Sequence, residues 1–310
     1  MAVSQQQTII NLYNSGISPE IIAFQLDISP EDVDRVLQSI NKTDRPAKQA
    51  PEAGHLASFY LDAVVDLDKA IKMAQQRVWK ALKVESKFDI STEETHEILA
   101  KYSKSKVMLV ILHIDLVGST RLSSDLPTDR LAAIIQAFTQ EMSITISAYG
   151  GYVLKYVGDA IMAFFLATND KYLPSINAVN CAHSMIKIIR EGINPILNQY
   201  DYAEMNVRVG IDLGENVVVQ YGWDTFNIDG KKFKRPHHDI LGHTINIATK
   251  MTSLGKPDQI VIGQMVYDVL DDRQKSAFHQ LQVSADVWGY MSDYSSGIYP
   301  LYGTSGAYVH

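Results

Sequence analysis

The chain has 310 residues, 46% of them hydrophobic, with a net charge of −7 and a single cysteine. That is enough for one large domain plus a smaller one around a real core. The acidic balance argues against a nucleic-acid surface along the whole chain, and lone Cys181 excludes an internal disulfide and fits a reducing compartment.

Residues 1–42 read as a small all-α region resembling a helix-turn-helix. Ser18-Pro19-Glu20 and Ser29-Pro30-Glu31 each place an N-cap before a proline at the first helical position. The charge there disfavours DNA as a partner. Arg35 is the only Lys or Arg in residues 1–40, against Glu20, Asp27, Glu31, Asp32 and Asp34, so the second helix would meet phosphates with negative charge. Residues 43–55, polar and containing Pro46 and Pro51, have the composition of a linker.

Residues 56–105 form a helical connector. Tyr60, Val64, Leu67, Ile71, Ala74, Val78 and Ala81 recur at alternating spacings of four and three. That seam suits a parallel coiled coil between two subunits, and equally a helix packed on its own domain. Ser91-Thr92-Glu93-Glu94 is a capping box that starts a second helix, ending near Ser103.

From residue 106 to 310 strands alternate with amphipathic helices. An apolar run from Val107 ends at Asp115, and a helix over 128–149 is stopped by Gly150-Gly151. Tyr152–Val157 and Ala160–Leu166 read as a hairpin about Gly158-Asp159. A helix over 174–199 follows, then a second hairpin of strands 206–212 and 215–221, helix 243–254, strand 259–262, helix 263–270 and an extended, tyrosine-rich tail. The expected fold class is α+β, a ferredoxin-like βαββαβ sandwich with helices on one face of the sheet. Cys181 lies in an apolar helical stretch and reads as a buried, inert thiol.

Asp115 and Asp159 both sit beside glycine at the end of a strand-like stretch. On neighbouring strands the two carboxylates share one sheet edge, and such a pair needs a cation. The Gly118-Ser119-Thr120 turn after Asp115 offers backbone N–H groups to phosphate oxygens. Metal beside phosphate points to phosphoryl transfer on a nucleotide.

Together with three further stretches these residues resemble the catalytic domain of class III nucleotidyl cyclases, the adenylate and guanylate cyclase family. The runs are Asp115-Leu116-Val117-Gly118-Ser119-Thr120, Gly151 to Asp159, Arg208 to Gly214, and Asp239 to Ala248. The resemblance implies that Asp115 and Asp159 hold two Mg²⁺ or Mn²⁺ ions per site, with residues 116–120 against the triphosphate. It assigns base recognition to Lys155 and Asp239, ribose orientation to Asn246, and the transition-state cation to Lys250, where the family usually has arginine. A lysine donor beside an aspartate acceptor complements adenine, and cytosine offers the same order, whereas guanine and uracil reverse it. Lysine keeps arginine's charge but loses its bidentate fork.

The family also places a lysine on the terminal phosphates near the end of the domain, and Trp288–Tyr302 contains none. Lys234 or Arg235, in a basic cluster before Asp239, is the alternative phosphate holder; the other reading of that cluster is a solvated loop. The resemblance implies an adenylate cyclase that turns ATP into 3′,5′-cyclic AMP and pyrophosphate, working as a head-to-tail homodimer with shared sites. A nucleotide-binding regulator without turnover, or a cyclase making cyclic CMP, are the alternatives. Residues 1–105 would then offer a regulatory partner its handle. No basic-then-apolar leader opens the chain and no apolar run spans a bilayer, so a cytoplasmic protein without membrane contact is expected.

Overall fold

The computed structural model describes residues 6–40 apart from 7, 11, 12, 14–18 and 27, then 66–83, 92–119, 122, 126–228, 230–292 and 297–305. The linker 43–55, the seam positions Tyr60 and Val64, and Ser91 and Thr120 lie outside these residues. Near the N-terminus, α1 (Pro19–Leu26) and α2 (Pro30–Ile40) pack through Ile22, Ala23, Val33 and Val36. Ser29 caps α2: its Oγ accepts from the Asp32 amide at 3.1 Å and donates to the Asp32 carboxylate at 3.0 Å. Among the described residues no helix is long and apolar enough to cross a membrane.

The rest is built on an eight-stranded sheet. Its strands are β1 (Lys106–Leu116), β2 (Tyr152–Val157), β3 (Ala160–Leu166), β4 (Val207–Ile228), β5 (Lys231–Leu241), β6 (Gln259–Gly263), β7 (Phe278–Gln280) and β8 (Leu301–Thr304). The order is β2–β3–β1–β4–β6–β8–β7, with β5 paired to β4, and β4–β6 is the parallel pair. In chain order the helices are α3 (Leu67–Lys83), α4 (Glu93–Lys101), α5 (Thr128–Ala148), α6 (Tyr172–Ile188), α7 (Asn194–Asn198), α8 (His243–Leu254), α9 (Gln264–Val269) and α10 (Asp272–Lys275).

Two expectations change here, and one pair of alternatives narrows. Residues 206–221 do not form a hairpin. Leu213, Gly214 and Glu215 stay in ladder with Val110, Leu109 and Met108, so β4 runs the full length of β1 and turns only beyond Ile228. Full pairing with an eleven-residue central strand outweighs the turn chemistry of one glycine. Second, helices cover both faces of the sheet. Val110, Leu112, Ile114 and Leu116 point to one layer, while Val107, Leu109 and Ile111 point to the other, where Leu99 of α4 and Ala248 of α8 pack. A central strand buried on both sides reads as a near-continuous apolar run, and β1 is one from Val107 to Leu112.

Third, the heptad seam is occupied within the chain. Ile71, Ala74, Val78 and Ala81 join the same core as α5 and α6, with Leu67 packed against it, so the five described seam positions pack on their own domain. The spacing is the same for either arrangement. What decides is polar docking: Arg77 makes a bidentate ion pair to Glu141 on α5, both contacts 2.6 Å, and Glu141 is 3% exposed. The Gln75 amide also donates to the Glu191 carbonyl at 2.7 Å, inside a π-helical turn over Ile189–Ile193 that follows α6.

The tail is tied down as a strap. Buried Trp288 donates from Nε1 to the Tyr299 carbonyl at 2.8 Å, and the Tyr299 hydroxyl donates to Asp212 Oδ1 at 2.8 Å. Burial pushes the Asp212 carboxyl up to about 7, against the lowering effect of hydrogen bonds from Tyr299 and the Leu213 amide. Buried Cys181 is likewise shifted upward by burial, which makes it inert.

Two outcomes follow for stability. Arg77→Met strands the Glu141 carboxylate and should cost about 3 kcal/mol in denaturant unfolding, mostly recovered by adding Glu141→Leu. An unchanged midpoint in the single variant would contradict the docking role. For Asp212, the folded chain keeps a proton between about pH 4 and 7 that the unfolded chain has released, so stability falls as pH rises through that window. Asp212→Asn should flatten this part of the Tm–pH curve; parallel curves for the two proteins would rule the buried acid out.

Candidate active site

The first cluster lies where β1 ends and β3 begins. Ile114 pairs with Ile161, so Asp115 and the turn residue Asp159 come to the same end of adjacent strands. Both approaches use left-handed glycine, Gly118 at φ 74° and Gly158 at φ 63°, conformations that a side chain would strain. Asp115 Oδ2 accepts from Arg208 Nη2 at 2.7 Å, its neighbour across the β1–β4 ladder. Asp159 Oδ2 is buried and accepts no hydrogen bond among the described residues.

A buried carboxylate oxygen with no donor is costly, and a cation removes the cost. The residues therefore fit a divalent ion. Among the described residues no group of three or more His, Cys, Asp and Glu is poised to hold a metal. Two carboxylates suit a hard ion that takes its other ligands from water and phosphate, as Mg²⁺ does.

Beside Asp115 a cavity of about 380 Å³ is lined by Leu116, Val117, Gly118, Ser119, Leu122 and residues 203–205. The turn is partly spent on the fold itself. The Val117 amide donates to the Asn206 carbonyl at 2.9 Å, so it is not available to a phosphate. Leu116 is a buried core residue, which leaves Gly118 and Ser119 as the accessible part of the cradle.

The second cluster joins residues far apart in sequence. Lys155 Nζ on β2 meets Asp239 Oδ2 on β5 at 2.5 Å, and the side chains are 38% and 18% exposed. The Ile240 amide donates to Asp239 Oδ1 at 2.8 Å and fixes the carboxylate plane. A donor and an acceptor thus stand side by side at a partly open position.

The third cluster is on α8. Asn246 and Lys250, one helical turn apart, are both exposed. The Lys250 ammonium lies 5.4 Å from the ring centre of Tyr290, and His243 meets the same ring edge-on at 5.0 Å.

The basic cluster before Asp239 is a strand and not a loop, since Lys231 to Arg235 pair with β4. Arg235 is committed to Glu93 at 3.0 Å and lies 5.8 Å from the ring of Phe226, whereas Lys234 is exposed opposite Thr225. His238 is buried against Ser103 at 3.1 Å, and His237 faces Asp224 at 3.2 Å. Arg208 and Tyr290 are the site neighbours that sequence reasoning passed over. Arg208 opens one of the four motifs, but its role appears only with the β1–β4 register, and Tyr290 lies in a tail with no periodic pattern.

Known proteins resemble the chain over the part that carries these clusters. Residues 100–291 match the model of the adenylate and guanylate cyclase catalytic domain. A cytidylate cyclase of Escherichia coli is 29% identical over 168 residues, 52% of this chain and 35% of that protein. A uridylate cyclase of a Rhodovulum species is 26% identical over 180 residues, 57% of this chain and 70% of that protein. The chain thus spans about a third of the length of the cytidylate cyclase it matches. The crystal structure of the guanylyl cyclase Cya2 superposes with a TM-score of 0.51 at 20% identity, over 66% of this chain and 94% of that one. The chain belongs to the adenylate and guanylate cyclase family, whose catalytic domain it carries at residues 100–291.

Proposed function

We propose that the chain is an adenylate cyclase, converting ATP to 3′,5′-cyclic AMP and pyrophosphate at a site shared by two copies. The observation that carries this reading is the Lys155–Asp239 pair. Adenine presents an acceptor at N1 beside a donor amine, which is the complement of a lysine beside an aspartate. To bind, the base edge replaces the contact between the two side chains, so each keeps a hydrogen bond.

In the reaction the ribose 3′-oxygen forms a bond to the α-phosphorus, the bond from that phosphorus to the β-bridging oxygen breaks, and the hydroxyl proton passes to solvent. Asp115 and Asp159 would hold two Mg²⁺ or Mn²⁺ ions, whose chemistry there would be to lower the pKa of the hydroxyl and to neutralise triphosphate charge. Gly118 and Ser119 offer amides to the phosphates. Asn246 orients the ribose, and Lys250 faces the charge that builds on the transferring phosphoryl group. Lys234 is the better placed of the two basic candidates for the terminal phosphates, because Arg235 is already paired with Glu93.

Sharing between copies is supported by surface chemistry. Asn246 and Lys250 face outward from α8, and the projecting β4–β5 arm exposes Tyr221, Trp223, Phe226, Ile228 and Phe233. Such an apolar arm suits a second copy of the chain, giving a head-to-tail homodimer with two equivalent sites. A regulatory partner acting on residues 1–105 would reach the catalytic core through α3, which shares that core.

CTP is the second reading, because cytosine has adenine's donor–acceptor order and the E. coli relative is named a cytidylate cyclase. Purified protein with each nucleoside triphosphate and Mn²⁺ should release cyclic AMP from ATP, at least a hundredfold less in Asp159→Ala. Product from CTP alone would establish the second reading, and tight ATP binding without product would make the protein a regulator. On the arm, Trp223→Asp with Phe226→Ser should shift the protein from dimer to monomer in sedimentation and abolish turnover. An unchanged dimer would exclude the arm from the interface.

A further inference from the structure

Lys250 occupies a position where charge alone is not sufficient. An arginine fork holds its own direction through two parallel hydrogen bonds, whereas a lysine ammonium sits on a flexible four-carbon stem with many rotamers. Lys250 is exposed and belongs to no ion pair among the described residues, yet its ammonium is held over an aromatic face. That face is Tyr290, and it is fixed from three sides.

The neighbouring Trp288 ring lies 4.7 Å from the Tyr290 ring and is 1% exposed. The Tyr290 carbonyl accepts from the Tyr299 amide at 2.8 Å, and Tyr299 is itself pinned to Asp212 and to the Met265 amide. His243, on the first turn of α8, closes the ring's remaining edge. A strap with its own buried anchors therefore brings one ring onto the stripe that His243, Asn246 and Lys250 form along α8.

We propose that Tyr290 is a positioning residue for Lys250, its ring face supplying by cation–π attraction the direction that a guanidinium fork would otherwise provide. The proposal rests on the cyclase reading above, in which Lys250 meets the transferring phosphoryl group. The ring attracts the ammonium within about 6 Å without neutralising it, as a carboxylate would, so the full charge stays available to the substrate. It also restricts the stem, so less rotamer entropy is lost when the phosphoryl group arrives. The tyrosine hydroxyl has no part in this, which separates the proposal from a role in proton transfer.

The test is steady-state kinetics of the full chain with ATP and Mn²⁺. Tyr290→Leu should lower kcat about fivefold with KM within about twofold, the size expected for one cation–π contact to an exposed ammonium. Tyr290→Phe, which keeps the ring, should stay within about twofold of the parent. In a Lys250→Met background Tyr290→Leu should cost less than about twofold, because its partner is already gone. An equal loss in both backgrounds, an unchanged kcat in Tyr290→Leu, or a Phe variant as slow as the Leu variant would each overturn the proposal while leaving the cyclase reading intact. Absence of product from the parent protein with all four nucleoside triphosphates would overturn both.

Discussion

Everything that positions the site depends on the unbroken ladder between β1 and β4. Because β4 follows β1 from Val207 to Val217, Arg208 falls opposite Asp115 at one end of the pair. Because β4 then continues past the end of β1, its far half pairs with β5, where Asp239 stands opposite Val219. One strand thus sets the partner of Asp115 and the place of Asp239. A turn at Gly214 would have ended β4 early and removed the scaffold of β5. The ladder also explains the two-sided burial: a strand flanked by β3 and β4 has both faces inside, so α4 and α8 must close the side that the larger helices do not.

Features that are local in the chain were legible before the fold was known. Asp115 and Asp159 each end an apolar stretch at a glycine turn, and a strand pattern with its turn is readable over a few residues. Cap and stop signals did as well for α2 and for α5, which ends just before Gly150. Features that depend on register were not legible. Nothing near Arg208 says that it will face Asp115, and nothing near Tyr290 says that it will lie over Lys250. The Lys155–Asp239 contact joins positions 84 residues apart, and it was anticipated only through the resemblance, not through any property of either segment. The heptads were ambiguous for a physical reason, since a seam of alternating four and three fits a partner helix and a domain surface equally well. A buried Arg77–Glu141 pair resolves the ambiguity, and no periodicity reports such a pair.

The docking of α3 changes what the N-terminal third can do. A coiled coil would act from outside the domain, by aligning two chains. Packed instead on α5 and against the π-helical turn, α3 is part of the wall behind the sheet. Any displacement of α3 uncovers Ile71, Ala74 and Val78 and strands Glu141 in an apolar setting. Such a change is resisted as a unit rather than in small steps, because packed cores and buried ion pairs do not deform gradually. Control exerted through residues 1–105 would therefore act by helping or hindering the assembly of the catalytic core itself.

The charges of the site follow one rule. Asp115 rests on Arg208, Lys155 on Asp239, and Lys250 on the face of Tyr290. The first two are contacts that a substrate or ion would replace without leaving a partner stranded in a dry interior, because all four side chains are partly open to solvent, whereas the third leaves the ammonium its full charge. The buried oxygen of Asp159 is the exception, a strong acceptor that takes no hydrogen bond among the described residues. An ion arriving there satisfies an acceptor the fold leaves without a donor, whereas at Asp115 it must compete with a guanidinium 2.7 Å away. As ligands the two aspartates would therefore not be equivalent.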